Sequence, residues 1–215
     1  SERGLYPYST YYLRHIKERT GEYWTNHFNT IGLVGMNEAC LNFLGKDVGS
    51  PEGLAFALEI MHFLRRLMVK FQEETGHFYN LEATPAEGTS YRLAKLDKAR
   101  YPEIITAGKE EPLYTNSSQL PVEYTDDIFE CCDLQDELQS LYTGGTVQHL
   151  YLGERIEDIE VCKELIKSVF AKYKMPYISI TPTFSICQEH GYIAGEHFTC
   201  PECGGQTEVY SRITG

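Results

Sequence analysis

Four potential metal ligands near the end of the chain constrain its fold more than any other feature. Cys187 and His190 are separated by two residues, and Cys200 and Cys203 repeat that spacing after nine intervening residues. Two such pairs can bring four N and S ligands to one ion, and zinc prefers four such ligands in a tetrahedron. So short a segment cannot build a hydrophobic core, so a metal is the expected source of its stability. The sequence therefore predicts a structural zinc site at these four residues.

Two neighbouring residues bear on this prediction. Gly204 directly follows the second pair, where a tight turn needs the backbone freedom of glycine. His197 is an alternative fourth ligand, although the spacing favours His190. The remaining alternative is a set of free thiols beside a surface histidine.

The chain before this cluster alternates between strand-like and helix-like segments. The predicted strands are 27–34, 78–84, 113–119, 146–152 and 177–186. The predicted helices are 36–44, 51–75, 89–100, 125–141 and 157–174. Strands that alternate with helices imply βαβ units and a parallel sheet covered on both faces, so the fold class is α/β. An open sheet and part of a barrel both fit this pattern.

Composition limits the possible partners and the cellular setting. The formal net charge of −12 disfavours non-specific binding to nucleic acid. No apolar run is long enough to span a bilayer, and the first residues lack a signal-peptide pattern. These features indicate a cytoplasmic protein that binds neither membranes nor nucleic acid.

The cysteine content also argues against a disulfide framework. The chain has seven cysteines, an odd number, and no secretory signal. Cys40, Cys131, Cys132 and Cys162 lie in helix-like segments and are predicted to be buried structural thiols.

The last residues, Arg212-Ile213-Thr214-Gly215, add a second motif. They resemble the Arg-Val-x-Gly motif of glycyl-radical enzymes, with Ile213 in place of Val. Because the zinc-type cluster directly precedes this motif, the chain resembles the anaerobic, class III ribonucleotide reductases in particular. Further stretches resemble the same family, and the resemblance covers nearly the whole chain: 29–38, 79–89, 114–121, 142–146 and 181–187.

The resemblance implies a fold and a division of the chain. The family fold is a ten-stranded α/β barrel built from two five-stranded halves. Residues 1–186 would then form the C-terminal half of the barrel, with a domain boundary after Ile186 where Cys, His and Gly become frequent. Residues 187–207 would form a zinc ribbon, and residues 208–215 would begin the glycyl-radical loop.

The resemblance also implies a reaction and its partners. Gly215 would carry a radical installed by an activase that uses an iron–sulfur cluster and S-adenosylmethionine. The enzyme would reduce ribonucleoside triphosphates with formate or a thiol protein as reductant, as a homodimer. The thiyl-radical cysteine of the family lies upstream of Ser1, so none of the seven cysteines here takes that role. This chain is therefore expected to be a piece of a longer reductase, inactive without the remainder.

Candidate substrate contacts lie at the ends of predicted strands, where α/β proteins usually place their sites. Glu82 is a candidate acid–base or hydrogen-bonding group, or a cap of the next helix. The segment around Gly144 could offer backbone N–H groups to phosphates, or could end a helix. His27, His62, His77 and His149 are predicted to be structural. The candidate substrate contacts are Asn116, Ser117, Ser118, Gln119, Glu82, Thr143, Gly144 and Gly145.

Two other classes of function fit parts of the sequence. One is a different glycyl-radical enzyme, such as an acyl-cleaving lyase. The other is a non-enzymatic interaction module stabilised by zinc.

Overall fold

The structure, a computed structural model, describes Gly4, residues 6–108 and residues 111–212. Seven helices and seven strands lie in these residues. The helices are α1 (Ser9–Tyr12), α2 (Arg14–Thr20), α3 (Met36–Leu44), α4 (Pro51–Thr75), α5 (Glu87–Arg100), α6 (Ile128–Ser140) and α7 (Ile159–Lys172). The strands are β1 (Phe28–Leu33), β2 (Phe78–Ala83), β3 (Gln148–Leu152), β4 (Ile178–Pro182), β5 (Phe184–Cys187), β6 (Gly191–Ala194) and β7 (Thr207–Tyr210). The predicted α/β class is confirmed.

The longest helix begins and ends where the sequence predicts. Ser50 caps α4 by accepting a hydrogen bond from the N–H of Gly53, and Pro51 occupies the first turn. Gly76 ends the helix in the left-handed conformation, with φ of 70°. The start of α6 differs from the prediction, because Asp127 rather than Thr125 accepts hydrogen bonds from the first helical N–H groups.

Two pairs of parallel strands form the α/β part of the described chain. In one pair β1 lies beside β2, and in the other β3 lies beside β4.

The short segment at 143–145, which is not itself a strand, borders β2. The N–H groups of Thr143 and Gly144 donate to the carbonyl oxygen of Leu81 at 3.1 and 2.7 Å, and Ala83 N–H donates to the carbonyl oxygen of Gly145 at 2.8 Å. This segment leads directly into β3, so it connects the two pairs.

The predicted strand at 113–119 is wrong. Within these residues the backbone forms only an isolated bridge at Leu113. Thr115 N–H donates instead to the Glu38 carboxylate at 2.8 Å, and the carbonyl oxygens of Thr115 and Ser117 accept from Gly35 and Met36 at the start of α3. Ser117 also has a φ of 44°, which an extended strand excludes. The backbone groups of this segment are therefore bonded as a loop.

The parallel strands separate an apolar face from a polar one. Leu81 and Ala83 of β2 are buried with Met61 of α4, and Leu150 of β3 is buried with Val169 of α7. Because side chains alternate across a strand, the intervening residues point to the opposite face, away from these helices. They are Thr30, Gly32, Asn80, Glu82, His149, Tyr151, Ser179 and Thr181. These eight residues form what we call the polar face.

The predicted single strand at 177–186 is also wrong, because the chain changes sheets near Thr183. Residues up to Pro182 pair in parallel with β3, whereas β5 begins at Phe184 and pairs antiparallel with β6 and β7. Thr183 N–H donates to the carbonyl oxygen of Leu152 and its own carbonyl oxygen accepts from Gly195, so it is bonded to both sheets. The boundary after Ile186 remains a prediction, and β5 crosses it.

Candidate functional site

The four predicted metal ligands lie together in the structure. One ligand atom from each of Cys187, His190, Cys200 and Cys203 lies within 4.8 Å of the other three. Cys187 is the last residue of β5, and the turn to β6 brings His190 back beside it. This Cys/His group could hold a metal ion.

A tight turn presents the second pair of ligands. Cys200 N–H donates to the carbonyl oxygen of Gly205, and Gly204 N–H donates to the carbonyl oxygen of Cys200 at 2.8 Å. Gly204 has a φ of 70°, so the sequence-based reason for glycine at this position is confirmed. Gly205 N–H also points at the Cys203 sulfur, 3.4 Å away.

The spacing of the ligand atoms fits a tetrahedral ion. The Cys187 sulfur lies 3.8 Å from that of Cys203 and 3.7 Å from Nδ1 of His190, which is 3.6 Å from the Cys200 sulfur. Four ligands about 2.3 Å from a central zinc would stand about 3.8 Å apart. His190 therefore presents Nδ1 to the group, while its Nε2 lies 3.6 Å from the Glu202 carboxylate. A carboxylate at the other ring nitrogen commonly orients a metal-binding histidine.

Local hydrogen bonds lower the pKa of one cysteine of the group. Backbone N–H groups of His190 and Glu189 lower the pKa of Cys187 to about 6. Because a thiolate is the metal-binding form, this favours coordination at neutral pH. His197, the alternative ligand, is outside the group, and its N–H donates to the Ser185 hydroxyl.

The segments that hold the predicted substrate contacts converge at one edge of the polar face. Ser118 accepts a hydrogen bond from the Tyr142 hydroxyl at 2.9 Å, and the Gln119 amide donates to the carbonyl oxygen of Val147 at 2.7 Å. A Cβ atom placed on Gly145 would lie 3.5 Å from Oε1 of Glu82. Residues distant in sequence are thus adjacent around the end of β2 and the start of β3.

The loop at 116–119 is buried but not fully bonded. Asn116, Ser117, Ser118 and Gln119 are each less than one-tenth exposed. Among the residues that the structure describes, Oδ1 of Asn116 has no hydrogen-bond partner, and neither does Oδ1 of Asn80 on the polar face. Buried acceptors usually find a donor, so both amides could accept hydrogen bonds from a bound molecule.

The predicted phosphate contacts at 143–145 need a correction. The N–H groups of Thr143 and Gly144 already donate to Leu81, so they are not available to a phosphate. Close packing with β2 rather than phosphate binding accounts for Gly144, because a Cβ there would lie 3.1 Å from the carbonyl oxygen of Leu81. The carbonyl oxygen of Gly145 bonds to Ala83, and ligand binding by its N–H stays a prediction.

Several polar-face residues are not among the predicted substrate contacts. They include Asn80, Ser179 and Thr181, and His149 is predicted to be structural. The available signal was polar residues at alternate positions of apolar strands, as at 149 and 151 or 179 and 181.

Of the four helix cysteines predicted to be buried, Cys40 and Cys132 are buried, whereas Cys131 and Cys162 are half-buried. Burial raises the pKa of Cys40 and Cys131 to about 11 and that of Cys132 to about 12. Such thiols stay protonated at neutral pH and are poor nucleophiles.

Gly215 lies outside the described residues. Among the described residues, no helix is both long enough and apolar enough to cross a membrane.

Comparison with known proteins places the chain in a family. The family described as anaerobic ribonucleoside-triphosphate reductase matches residues 1–215, so the chain belongs to this family. The anaerobic ribonucleoside-triphosphate reductase of Escherichia coli K12 is 28% identical over 200 residues, which are 86% of this chain and 27% of that protein. That of enterobacteria phage T4 is 25% identical over 181 residues, 81% of this chain and 28% of that protein.

Solved structures show the same fold. The anaerobic ribonucleotide reductase of Thermotoga maritima with MES in the active site superposes with a TM-score of 0.67 at 24% identity, covering 93% of this chain and 35% of that one. The same reductase with dATP in its specificity site gives a TM-score of 0.63 at 20% identity. The chain spans about a quarter of the length of the curated relatives it matches.

Proposed function

We propose that this chain is the C-terminal part of the catalytic subunit of a cytoplasmic anaerobic ribonucleoside-triphosphate reductase, in which Gly215 carries the radical. The family match over residues 1–215 is the observation that carries this proposal. The parallel strand pairs, with helices on one face and polar residues on the other, fit one half of a ten-stranded barrel. The remainder of the reductase would supply the other half and the thiyl-radical cysteine.

In this proposal the polar face binds the ribonucleoside triphosphate. Oδ1 atoms of Asn80 and Asn116 would accept hydrogen bonds from the ribose or base, because both are buried without a donor. Glu82 would act as a hydrogen-bonding or acid–base group beside Gly145. Ser117, Ser118 and Gln119 would shape the adjoining wall of the site.

Cys187, His190, Cys200 and Cys203 would hold a structural zinc ion. All four positions have protein ligands, which suits a structural rather than a catalytic site. The ion would cross-link the end of β5 at Cys187 to the turn that precedes β7. The chain that follows β7 contains Gly215.

The reaction would begin when the activase, using S-adenosylmethionine and an iron–sulfur cluster, removes a hydrogen atom from the α-carbon of Gly215. The glycyl radical would then take a hydrogen atom from the thiol upstream of Ser1, and the resulting thiyl radical would take the 3′-hydrogen of the ribose. The 2′-hydroxyl would leave as water. Formate, oxidised to carbon dioxide, or a dithiol protein, oxidised to a disulfide, would supply two electrons, and protons would complete the departing water and the new C2′–H bond. The thiol would then return a hydrogen atom to C3′, which regenerates the thiyl radical.

The test uses the full-length reductase, purified without oxygen and treated with its activase. We expect an organic radical in the electron paramagnetic resonance spectrum and conversion of a ribonucleoside triphosphate to its deoxy form, with formate and a dithiol protein tried separately. Gly215→Ala should abolish both the radical spectrum and the formation of the deoxyribonucleotide. Gly153→Ala is the matched control, because a Cβ there meets no atom within 4 Å. A wild-type enzyme without radical or product, or a fully active Gly215→Ala variant, would refute the proposal.

A further inference from the structure

Three buried glutamines lie between α6 and the start of β3. Gln135 and Gln139 are one turn apart on α6, and Gln148 is the first residue of β3. Gln135 and Gln139 are fully buried, and Gln148 is only 3% exposed. We call these three residues the glutamine ladder.

The glutamine ladder is polar where neighbouring contacts between helices and strands are apolar. Leu81 of β2 is buried with apolar residues of α4, and Leu150 of β3 is buried with Val169 of α7. Burial of an amide costs free energy unless its groups are hydrogen-bonded, so apolar side chains would suffice if the contact only needed burial. The amides add direction, because a hydrogen bond fixes the relative position of its two groups.

Two hydrogen bonds define the half of the ladder on α6. The Thr146 hydroxyl donates to Oε1 of Gln139, and Nε2 of Gln139 donates to Oε1 of Gln135 at 2.9 Å. These bonds fix which end of the Gln135 amide is the oxygen. Within the described part of the chain, the other end of that amide, the donor Nε2, has no hydrogen-bond partner.

The amide of Gln148 has the opposite need. Its Nε2 donates to the carbonyl oxygen of His149 at 3.2 Å and lies 3.3 Å from the Cys131 sulfur. These contacts fix the orientation of this amide as well. Its acceptor Oε1 is buried and has no hydrogen-bond partner among the residues that the structure describes.

The unpaired donor and the unpaired acceptor lie at the same interface. Cys131, Gln135 and Gln139 recur at every fourth position of α6, so they share one face of the helix. Gln135 therefore lies midway between the helical residues that contact Gln148 and Thr146. A water molecule accepts hydrogen bonds and donates them, so one water can satisfy both groups.

The structure has room for a water molecule at this end of the ladder. A cavity of about 30 Å³ is lined in part by Cys131 and Gln148. One water molecule needs about 10–15 Å³ of such space. We propose that a single water molecule binds between Nε2 of Gln135 and Oε1 of Gln148 and completes the glutamine ladder.

The completed ladder fixes the alignment of α6 against β3. Because side chains alternate along a strand, a slip by one residue would exchange Gln148 for His149 on the side of the helices. Only the present alignment joins Thr146, the three glutamines and the water in one series of hydrogen bonds. The ladder thereby keeps His149 and Tyr151 on the polar face.

A crystal structure of the full-length reductase, at a resolution that shows ordered water, tests the binding site directly. We expect one ordered water molecule at about 2.7–3.2 Å from both Nε2 of Gln135 and Oε1 of Gln148. A direct hydrogen bond between the two amides would overturn the proposal. So would two well-ordered amides with no water between them.

Hydrogen–deuterium exchange at residues 146–152 gives a second test in the same protein. Gln135→Met and Gln148→Met each remove one amide at similar volume, and a double variant removes both. Each single variant leaves one buried group without its bridge, so exchange of these backbone amides should accelerate roughly tenfold. The double variant should accelerate exchange by much less than the product of the two effects, because no unpaired partner remains.

Glu137→Met, on the exposed side of α6, is the control and should exchange like the wild type. If the effects of Gln135→Met and Gln148→Met simply multiply in the double variant, no shared water joins the two amides. The crystal structure of the wild type decides the question if a variant fails to fold. Neither measurement requires a radical, so the outcome is independent of the function proposed above.

Discussion

Glu38 and Thr115 are joined by two hydrogen bonds across 77 residues of sequence. The Glu38 carboxylate accepts from the backbone N–H of Thr115 at 2.8 Å and from its hydroxyl at 2.7 Å. The neighbouring Asn37 amide donates to the same carboxylate at 3.1 Å. Glu38 is only 2% exposed, so this buried carboxylate holds the loop at 116–119 against the start of α3.

Removal of this carboxylate should destabilise the protein and the loop together. Glu38→Ala leaves the Thr115 N–H buried without an acceptor, and we expect the free energy of unfolding to fall by on the order of 3 kcal/mol. Glu38→Gln keeps one acceptor, so its free energy of unfolding should fall by less. Glu59→Ala, at an exposed position of α4, is the control and should change little. Denaturant unfolding measures all three, and equal stability of Glu38→Ala and Glu59→Ala would contradict the assigned role.

The relationship between Glu38 and Thr115 also explains where sequence reasoning failed. Residues 113–119 have a strand-like composition, but their backbone partners are Glu38, Gly35 and Met36, which no local pattern reveals. The proximity of the four candidate metal ligands, by contrast, was predictable because two chelating turns are encoded by spacing alone. The caps of α4 were predictable for the same reason, since Ser50, Pro51 and Gly76 act locally.

The polar face was only partly predictable from the sequence. Alternation along β3 and β4 marks which residues share a face, but it does not say which face the helices cover. That depends on contacts such as Leu150 with Val169, which are set by the tertiary fold. For this reason Glu82 was selected from its place at a strand end, whereas Asn80 and His149 were not.

The zinc prediction can be tested through metal content. The purified protein should contain one zinc ion per chain, and Cys200→Ser should lose it because the tetrahedral set is then incomplete. Cys162→Ser, in α7 and outside the ligand group, should retain the metal. Elemental analysis by mass spectrometry gives the stoichiometry. Full zinc occupancy in Cys200→Ser would exclude Cys200 as a ligand.

The close approach of Gly144 to β2 predicts a steric effect. A Cβ at this position would lie 3.1 Å from the carbonyl oxygen of Leu81 and 3.2 Å from the Asn80 side chain. Gly144→Ala should therefore destabilise the protein by about 1–3 kcal/mol, as overpacking usually does. Gly153→Ala meets no atom within 4 Å and should be neutral in the same thermal unfolding experiment. Two variants of equal stability would mean that the segment at 143–145 does not pack on β2 as described.

The buried thiols predict a dependence on pH. Burial raises the pKa of Cys40 to about 11 and that of Cys132 to about 12, above the ordinary thiol value of about 8.5. Their contribution to stability is present below about pH 8.5 and is lost as the pH rises through 11. At pH 8 about one Cys40 thiol in a thousand is ionised, so alkylation of the native protein should be very slow there.

Iodoacetamide labelling followed by peptide mass spectrometry measures this difference. Cys40 and Cys132 should remain unmodified at pH 8 in the native protein and become labelled after denaturation. Rapid labelling of either thiol in the folded protein at pH 8 would show that it is neither buried nor shifted as described.

The intact mass of the polypeptide tests most directly whether Gly215 carries the radical. The native full-length polypeptide is purified without oxygen, and its mass is measured before activation and again after activation and exposure to air. We predict a chain several times longer than this one, cut at or beside Gly215 only after both treatments, with Gly215→Ala left intact. A polypeptide whose mass is unchanged by activase and air would contradict a radical at Gly215.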